Sequence, residues 1–178
     1  MVEAAADLLA ERGLQATSFG EVIEATGTSR GSIYHHFPCG KTELVEEALD
    51  LLAEKAFAPI EAHAGRDAQT IARHYVELWR SFIPGFRLRG GCVILTVTVT
   101  ADSEQIIDRA AVVFRRWRER LAQLLQEGGL DERHAAGCAA LIIAACEGAL
   151  VFARAERSME PFDQVAEQLR LHLATLTG

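Results

Sequence analysis

Proline is scarce in this sequence, with four residues in 178. The residue that removes a backbone donor and blocks the preceding helical turn is thus missing from most of the chain. Alanine and leucine dominate instead, which favours long helices over sheets. No apolar run approaches the ~20 residues that span a bilayer. The longest, Ala139–Cys146 and Ala149–Ala153, are separated by Glu147 and Gly148, and no membrane partner is expected. The four cysteines, Cys39, Cys92, Cys138 and Cys146, form no C-x-x-C pair, and no secretory signal is evident. Reduced thiols in a cytoplasmic protein are the expectation. There is no H-x-x-x-H and no Cys/His cluster, and His63 and His74 fall on separate helices, so neither metal nor cofactor is expected. A nucleophile motif, a Gly-rich phosphate loop and a carboxylate pair on a shared face are all lacking, which argues against an enzyme.

Basic charge is also in deficit. The net charge is −7, which taken alone argues against nucleic-acid binding, because affinity for DNA comes largely from neutralising phosphates. Residues 1–44 carry three basic side chains against six acidic ones, a balance of −3. The distribution matters more than the sum. Residues 28–41 hold Arg30, Lys41 and two histidines, and no acid.

Half the residues are apolar and a quarter charged, as in ordinary globular proteins, and the length suits one compact two-part protein. Hydrophobic periodicity predicts an all-α fold of about nine helices. Val2, Ala5, Ala6 and Leu9 begin the first helix, which Gly13 stops. Ser18, with Glu21 three residues later, forms a capping box ahead of a second helix, whose Val22 and Ile23 point inward. Gly27 breaks the chain, and Ser29 caps a third short helix that ends before Pro38. Further helices start near Lys41, with a kink at Pro59, and near Asp67, the latter running through Trp79 and Phe82 to Phe86. Cys92–Thr100 alternates and is β-branched, which read locally is a strand. No second strand exists to pair with it, so a helix is expected there. Long helices over Ser103–Gln126 and Asp131–Arg157, and a last one opened by Pro161, complete the chain.

Two short helices joined by a tight glycine-containing turn make a helix-turn-helix, whose second helix lies in the major groove of DNA. Here that helix begins Ser29-Arg30-Gly31-Ser32. Small residues let the backbone approach DNA, and Arg30 can reach a guanine edge with two hydrogen bonds. Tyr34 and His35 suit phosphate oxygens, and Lys41 adds charge at the start of the next helix. Neighbouring positions on a helix point about 100° apart, so His35 and His36 cannot both face the groove; His35 is taken as the contact.

Ala5-Ala6, Gly13, Thr17, Gly27, Ser29, Gly31, Tyr34, Phe37, Lys41 and Leu44 fall in the order and spacing of the TetR family's DNA-binding domain. The run Ser-Arg-Gly-Ser-Ile-Tyr-His-His-Phe-Pro-x-Gly-Lys-x-Glu-Leu, residues 29–44, resembles it most specifically. The remainder, including Gly91-Cys92, Trp117 and Glu147-Gly148-Ala149, resembles the LmrA/YxaF-like branch. The resemblance implies a helix-turn-helix domain over 1–44, with Thr17 and Ser18 added to its DNA contacts, and a ligand-binding and dimerisation domain over 45–178. It implies a homodimer whose last two helices form a four-helix interface, here assigned to Leu150, Phe162, Val165, Leu169 and Leu173. It also implies a repressor released from operator DNA when a small hydrophobic or amphipathic ligand tilts the fourth helix and spreads the reading heads. The resemblance also implies a short basic arm ahead of the first helix, within which Val2 already falls.

Trp79, Phe82, Phe86, Phe114, Trp117 and Phe152 sit at core-like helical spacing and equally suit the lining of a ligand pocket. Glu147 interrupts the most apolar helix. A buried carboxylate needs a partner, so it either pairs with an arginine such as Arg80 or Arg118 or faces a polar ligand group. Arg115, Arg116, Arg118 and Arg120 read as a solvated helix face. Cys39 reads as an inert thiol rather than a redox switch. A dimeric small-molecule carrier without DNA binding is the competing function.

Overall fold

The computed structural model describes residues 1–81 and 92–177. Among them the chain forms nine α-helices and no strand: α1 (Val2–Ala16), α2 (Phe19–Thr26), α3 (Arg30–His36), α4 (Lys41–Glu61), α5 (Ala68–Ser81), α6 (Val93–Thr100), α7 (Glu104–Glu127), α8 (Glu132–Glu156) and α9 (Glu160–Thr177). They divide into two compact units, Met1–Ala56 with Arg89–Phe114 and Phe57–Leu88 with Arg115–Gly178. Phe82 and Phe86 lie outside the described residues, as does the expected extension of α5 to reach them.

In the first unit the apolar stripes meet as their periodicity requires. Ala5, Ala6 and Leu9 of α1, Val22 of α2, Ile33 of α3 and Leu44, Val45, Ala48 and Leu49 of α4 are all buried. Ile23, expected inward beside Val22, is only half-buried. Gly13 leaves helical geometry at φ 77° and ψ 178°, a region glycine enters without steric cost. One further turn then carries the chain to Ala16. The capping box forms by half. Ser18 Oγ accepts from the Glu21 N–H at 3.3 Å, but the Glu21 carboxylate turns to Arg12 at 2.9 Å rather than back to the Ser18 amide.

The β-branched stretch is helical, as α6. Its threonines satisfy themselves locally: Thr98 and Thr100 donate to the carbonyls of Ile94 and Thr96 at 2.7 and 2.8 Å. The Cys92 sulfur accepts from the Leu95 N–H at 3.4 Å at the N-terminus. Ile94 and Val97, one turn apart, are buried, and α6 packs on α1. Burial of that face outweighs the strand preference of the side chains.

The core of the second unit is α8, packed on α5 and α9. Its inward side runs from Ala135 and Cys138 through Ile142, Ile143 and Cys146 to Leu150 and Ala153. By length and composition α8 could cross a membrane, despite the short apolar runs noted above, but half of its most apolar window is buried inside the protein. Burial and the Glu147 charge push the Cys146 thiol up to about 12. Arg120 holds Glu61 through two hydrogen bonds, at 2.7 and 2.8 Å, which lowers the Glu61 pKa below its ordinary value. Gly128 touches the turn before α5: its carbonyl accepts from the Ala68 N–H at 2.9 Å.

Candidate functional site

Helix α3 is built to present one face. Ser29 Oγ accepts from the Ser32 N–H at 3.1 Å, which fixes the N-terminus. Gly27, in left-handed geometry at φ 67°, lets the chain turn out of α2. Ile33 is fully buried and anchors the inner side. Gly31 and His35 each lie roughly 160° around the helix from Ile33, and Arg30, Gly31, Tyr34 and His35 are all exposed. His36 is exposed as well, but it lies only about 60° from Ile33 and its ring leans on Phe37 at 6.4 Å. Direction rather than exposure therefore separates the two histidines.

Tyr34 is 58% exposed, yet its ring is braced edge-on by Phe19 at 5.1 Å. Phe19 opens α2 and also meets Phe37 at 6.3 Å. Sequence reasoning missed this support. Glu43 was missed too: its carboxylate accepts from the Cys39 N–H at 2.9 Å and holds the turn between α3 and α4.

Two of the expected contacts have partners inside the subunit. Thr17 is fully buried, and its hydroxyl donates to the Gly13 carbonyl at 3.0 Å. Its side chain secures the corner between α1 and α2 and is not presented to DNA. Lys41 spends a donor inside the subunit, from Nζ to the Leu14 carbonyl at 2.8 Å, and partial burial lowers its pKa from the ordinary 10.5. An ammonium has three protons to give, so Lys41 keeps donors for a phosphate, but its first task is to tie α4 to the end of α1.

In the second unit, Trp79 and Trp117 are both buried and meet edge-to-face at 6.5 Å. Tyr75 and Phe57 extend the cluster at 6.2 and 6.5 Å. Neither had been singled out as a lining residue. Glu147 is buried, 6% exposed, on the inward side of α8. Arg80, one of its two expected partners, pairs instead with Asp163 at 2.5 Å. Phe114, which belongs to the first unit, is half-buried. Phe152 is 57% exposed on the outer side of α8, so its expected place in an interior pocket is corrected.

Most of the expected interface residues lie inside the subunit. Leu150, Phe162, Leu169 and Leu173 are buried inside the subunit, where they join α8 and α9 to α5. Only Val165 is partly exposed. A different apolar stripe faces outward on α8: Leu141, Ala144, Val151, Phe152 and Ala155. These positions fall within an arc of about 100° around the helix axis, so they share one side of the helix.

A helix-turn-helix with a braced reading helix, joined to a helical unit with an aromatic core, defines a DNA-binding regulator rather than a catalyst. Residues 1–48 match the family described as bacterial regulatory proteins, tetR family. Residues 68–168 match the transcriptional regulator LmrA/YxaF-like C-terminal domain. An uncharacterised HTH-type transcriptional regulator of Mycobacterium tuberculosis (strain ATCC 25618 / H37Rv) is 38% identical over 96% of this chain and 90% of its own. The uncharacterised HTH-type regulator YxaF of Bacillus subtilis is 27% identical over 95% and 91%. A crystal structure of a TetR transcriptional regulator from Chloroflexus aurantiacus superimposes with a TM-score of 0.77 at 28% identity, over 97% of this chain and 91% of that one. The chain belongs to the TetR family of transcriptional regulators and carries an LmrA/YxaF-like C-terminal domain.

Proposed function

We propose that this regulator is a cytoplasmic, homodimeric repressor that leaves its operator when a small hydrophobic or amphipathic ligand binds. Residues 1–44 are the reading head, and residues 45–178 bind ligand and dimerise. The observation that carries the reading is the exposed surface of α3: no acid, a capped N-terminus, Gly31 and His35 opposite the buried Ile33 anchor, and Arg30 and Tyr34 exposed on its flanks. Arg30 reads a base edge. Ser18, Ser29, Ser32, Tyr34, His35 and the spare donors of Lys41 meet phosphates.

The Trp79–Trp117 pair, with Glu147, forms the ligand-sensing region, where the indoles supply apolar surface and the carboxylate a polar anchor. The outward stripe of α8, continued on α9 by Val165, forms the interface with a second copy. Two such pairs of helices bury the stripe around a two-fold axis. This displaces the earlier assignment to Leu150, Phe162, Leu169 and Leu173.

The test is a mobility-shift titration on DNA from upstream of the protein's own gene, across a range of salt. Tight, competitor-resistant and salt-sensitive binding is expected. Arg30→Ala should cost ~1–3 kcal/mol of discrimination at one base pair. Binding no tighter than to random DNA, with wild type and Arg30→Ala alike, would favour a small-molecule carrier instead.

A further inference from the structure

The groove between α5 and α9 holds a cavity of about 310 Å³, separate from the Trp79–Trp117 cluster. It is a trough open to solvent along its length and bridged at both ends. Arg80 and Asp163 bridge one end at 2.5 Å, and Gln69 and Thr177 bridge the other at 2.7 Å. Those two bridges show that the helices run antiparallel, and the distance from Gln69 to Arg80 is ~16 Å at the rise of a helix. The floor is apolar, with Ala72 and Val76 from α5 and Ala166 and Leu173 from α9. The void exists because alanines stand where larger side chains would interlock.

The rims are charged in a patterned way. Interpolating between the two bridges places Glu77 of α5 across from Glu167 of α9, and Arg73 within about half a turn of the position across from Arg170. Like charges thus face one another over an apolar floor. This arrangement does not close on itself. Arg170 is paired within its own helix, to Glu167 at 2.7 and 2.8 Å, and Arg73 forms no ion pair among the described residues. The Arg170–Glu167 pair is exposed, and such a pair exchanges easily for a better partner. Two guanidinium groups on opposite rims can share one carboxylate or phosphate through charge-assisted hydrogen bonds. The two glutamates repel an anion from the other half, so a bound molecule has one orientation.

We propose that this trough is a second binding site, for an amphiphile with a single anionic head. The head sits between Arg73 and Arg170, and the aliphatic chain lies along Ala72, Val76 and Ala166 toward the Arg80–Asp163 bridge. The end bridges limit the chain to a medium length. The site requires neither the aromatic cluster nor the reading head, so its existence does not depend on the repressor reading.

Calorimetric titration of the full chain with decanoate, and with decanol as the uncharged control, tests it. Decanoate should bind at one site per subunit, and decanol far more weakly. Arg73→Gln should weaken decanoate about tenfold. Ala166→Leu should abolish binding by filling the trough, with helicity and DNA binding unchanged. Trp79→Phe, whose ring does not line the trough, should leave decanoate affinity as in wild type. The proposal is overturned if decanoate does not bind, if decanol binds equally well, or if Arg73→Gln and Ala166→Leu both bind decanoate like the wild type. Loss of binding on Trp79→Phe alone would overturn it too, by placing the molecule in the aromatic core.

Discussion

Val151→Glu should convert the protein to a folded monomer. Val151 is 51% exposed on the outer side of α8, so the subunit loses little when it changes. Full burial of a valine is worth ~1.5 kcal/mol or more, and covering the exposed half about half of that. The two-fold axis places two copies in the interface, so about 1.5 kcal/mol of apolar burial is lost per dimer. Each glutamate also brings a carboxylate into a water-poor apolar surface, at ~1 kcal/mol apiece even when it partly reaches solvent. The total is about 3.5 kcal/mol, a few hundredfold in the dimer dissociation constant. Sedimentation velocity over a concentration series reads this directly, and circular dichroism checks that the helices persist. Leu169→Glu provides the contrast. At 5% exposure it places a charge in the subunit's own core, so helicity and the melting temperature should fall as well. A Val151→Glu protein that sediments as the wild-type dimer, with native helicity, refutes the placement of the interface.

Other perturbations read the structure more locally. Gly128→Ala would bring a Cβ within 2.6 Å of the Ala68 nitrogen and 2.7 Å of the Arg66 carbonyl oxygen. It should cost ~2–4 kcal/mol in urea unfolding, from overpacking and a lost hydrogen bond. Gly129→Ala, at φ 96° in open space, should cost only ~1–2 kcal/mol, and the reverse order would contradict the packing. Lys41→Met should lower the unfolding midpoint through loss of the Leu14 hydrogen bond, worth about 1.5 kcal/mol or more, besides weakening binding to all DNA sequences alike. Unchanged stability would mean that the bond contributes nothing. A thiol reagent at neutral pH should titrate Cys39 rapidly and the three buried cysteines only on unfolding; fast reaction of Cys146 would contradict the burial that raises its pKa. Asp131, held at about 2 by Arg133, contributes stability that is fully present above its ordinary 3.8 and is lost as pH falls toward 2. Asp131→Asn should flatten acid unfolding in that window, and an unchanged profile would show that the pair has no influence there.

Much of the first unit was legible from residue order. Gly13, Ser18, Gly27, Ser29 and Pro38 punctuate the chain through backbone geometry and capping, which act between near neighbours. The family pattern over residues 29–44 is local for the same reason. Helix α6 was legible only by elimination, since its side chains favour a strand until Ile94 and Val97 are buried.

The differences share one cause. Thr17, Leu150 and Leu169 were assigned from the family resemblance and Phe152 from helical spacing, and neither shows what a given face meets. Helix α8 is apolar almost all round, so its sequence could not say which stripe packs on α5 and α9 and which is left outside. The trough between α5 and α9 was invisible for the same reason, because Arg73 and Arg170 are almost a hundred positions apart in the sequence. Sequence by itself determined the helices, their caps and the reading head, because hydrogen bonds a few residues long set them. The choice of inner and outer faces was left to tertiary packing, because burial depends on which helices become neighbours.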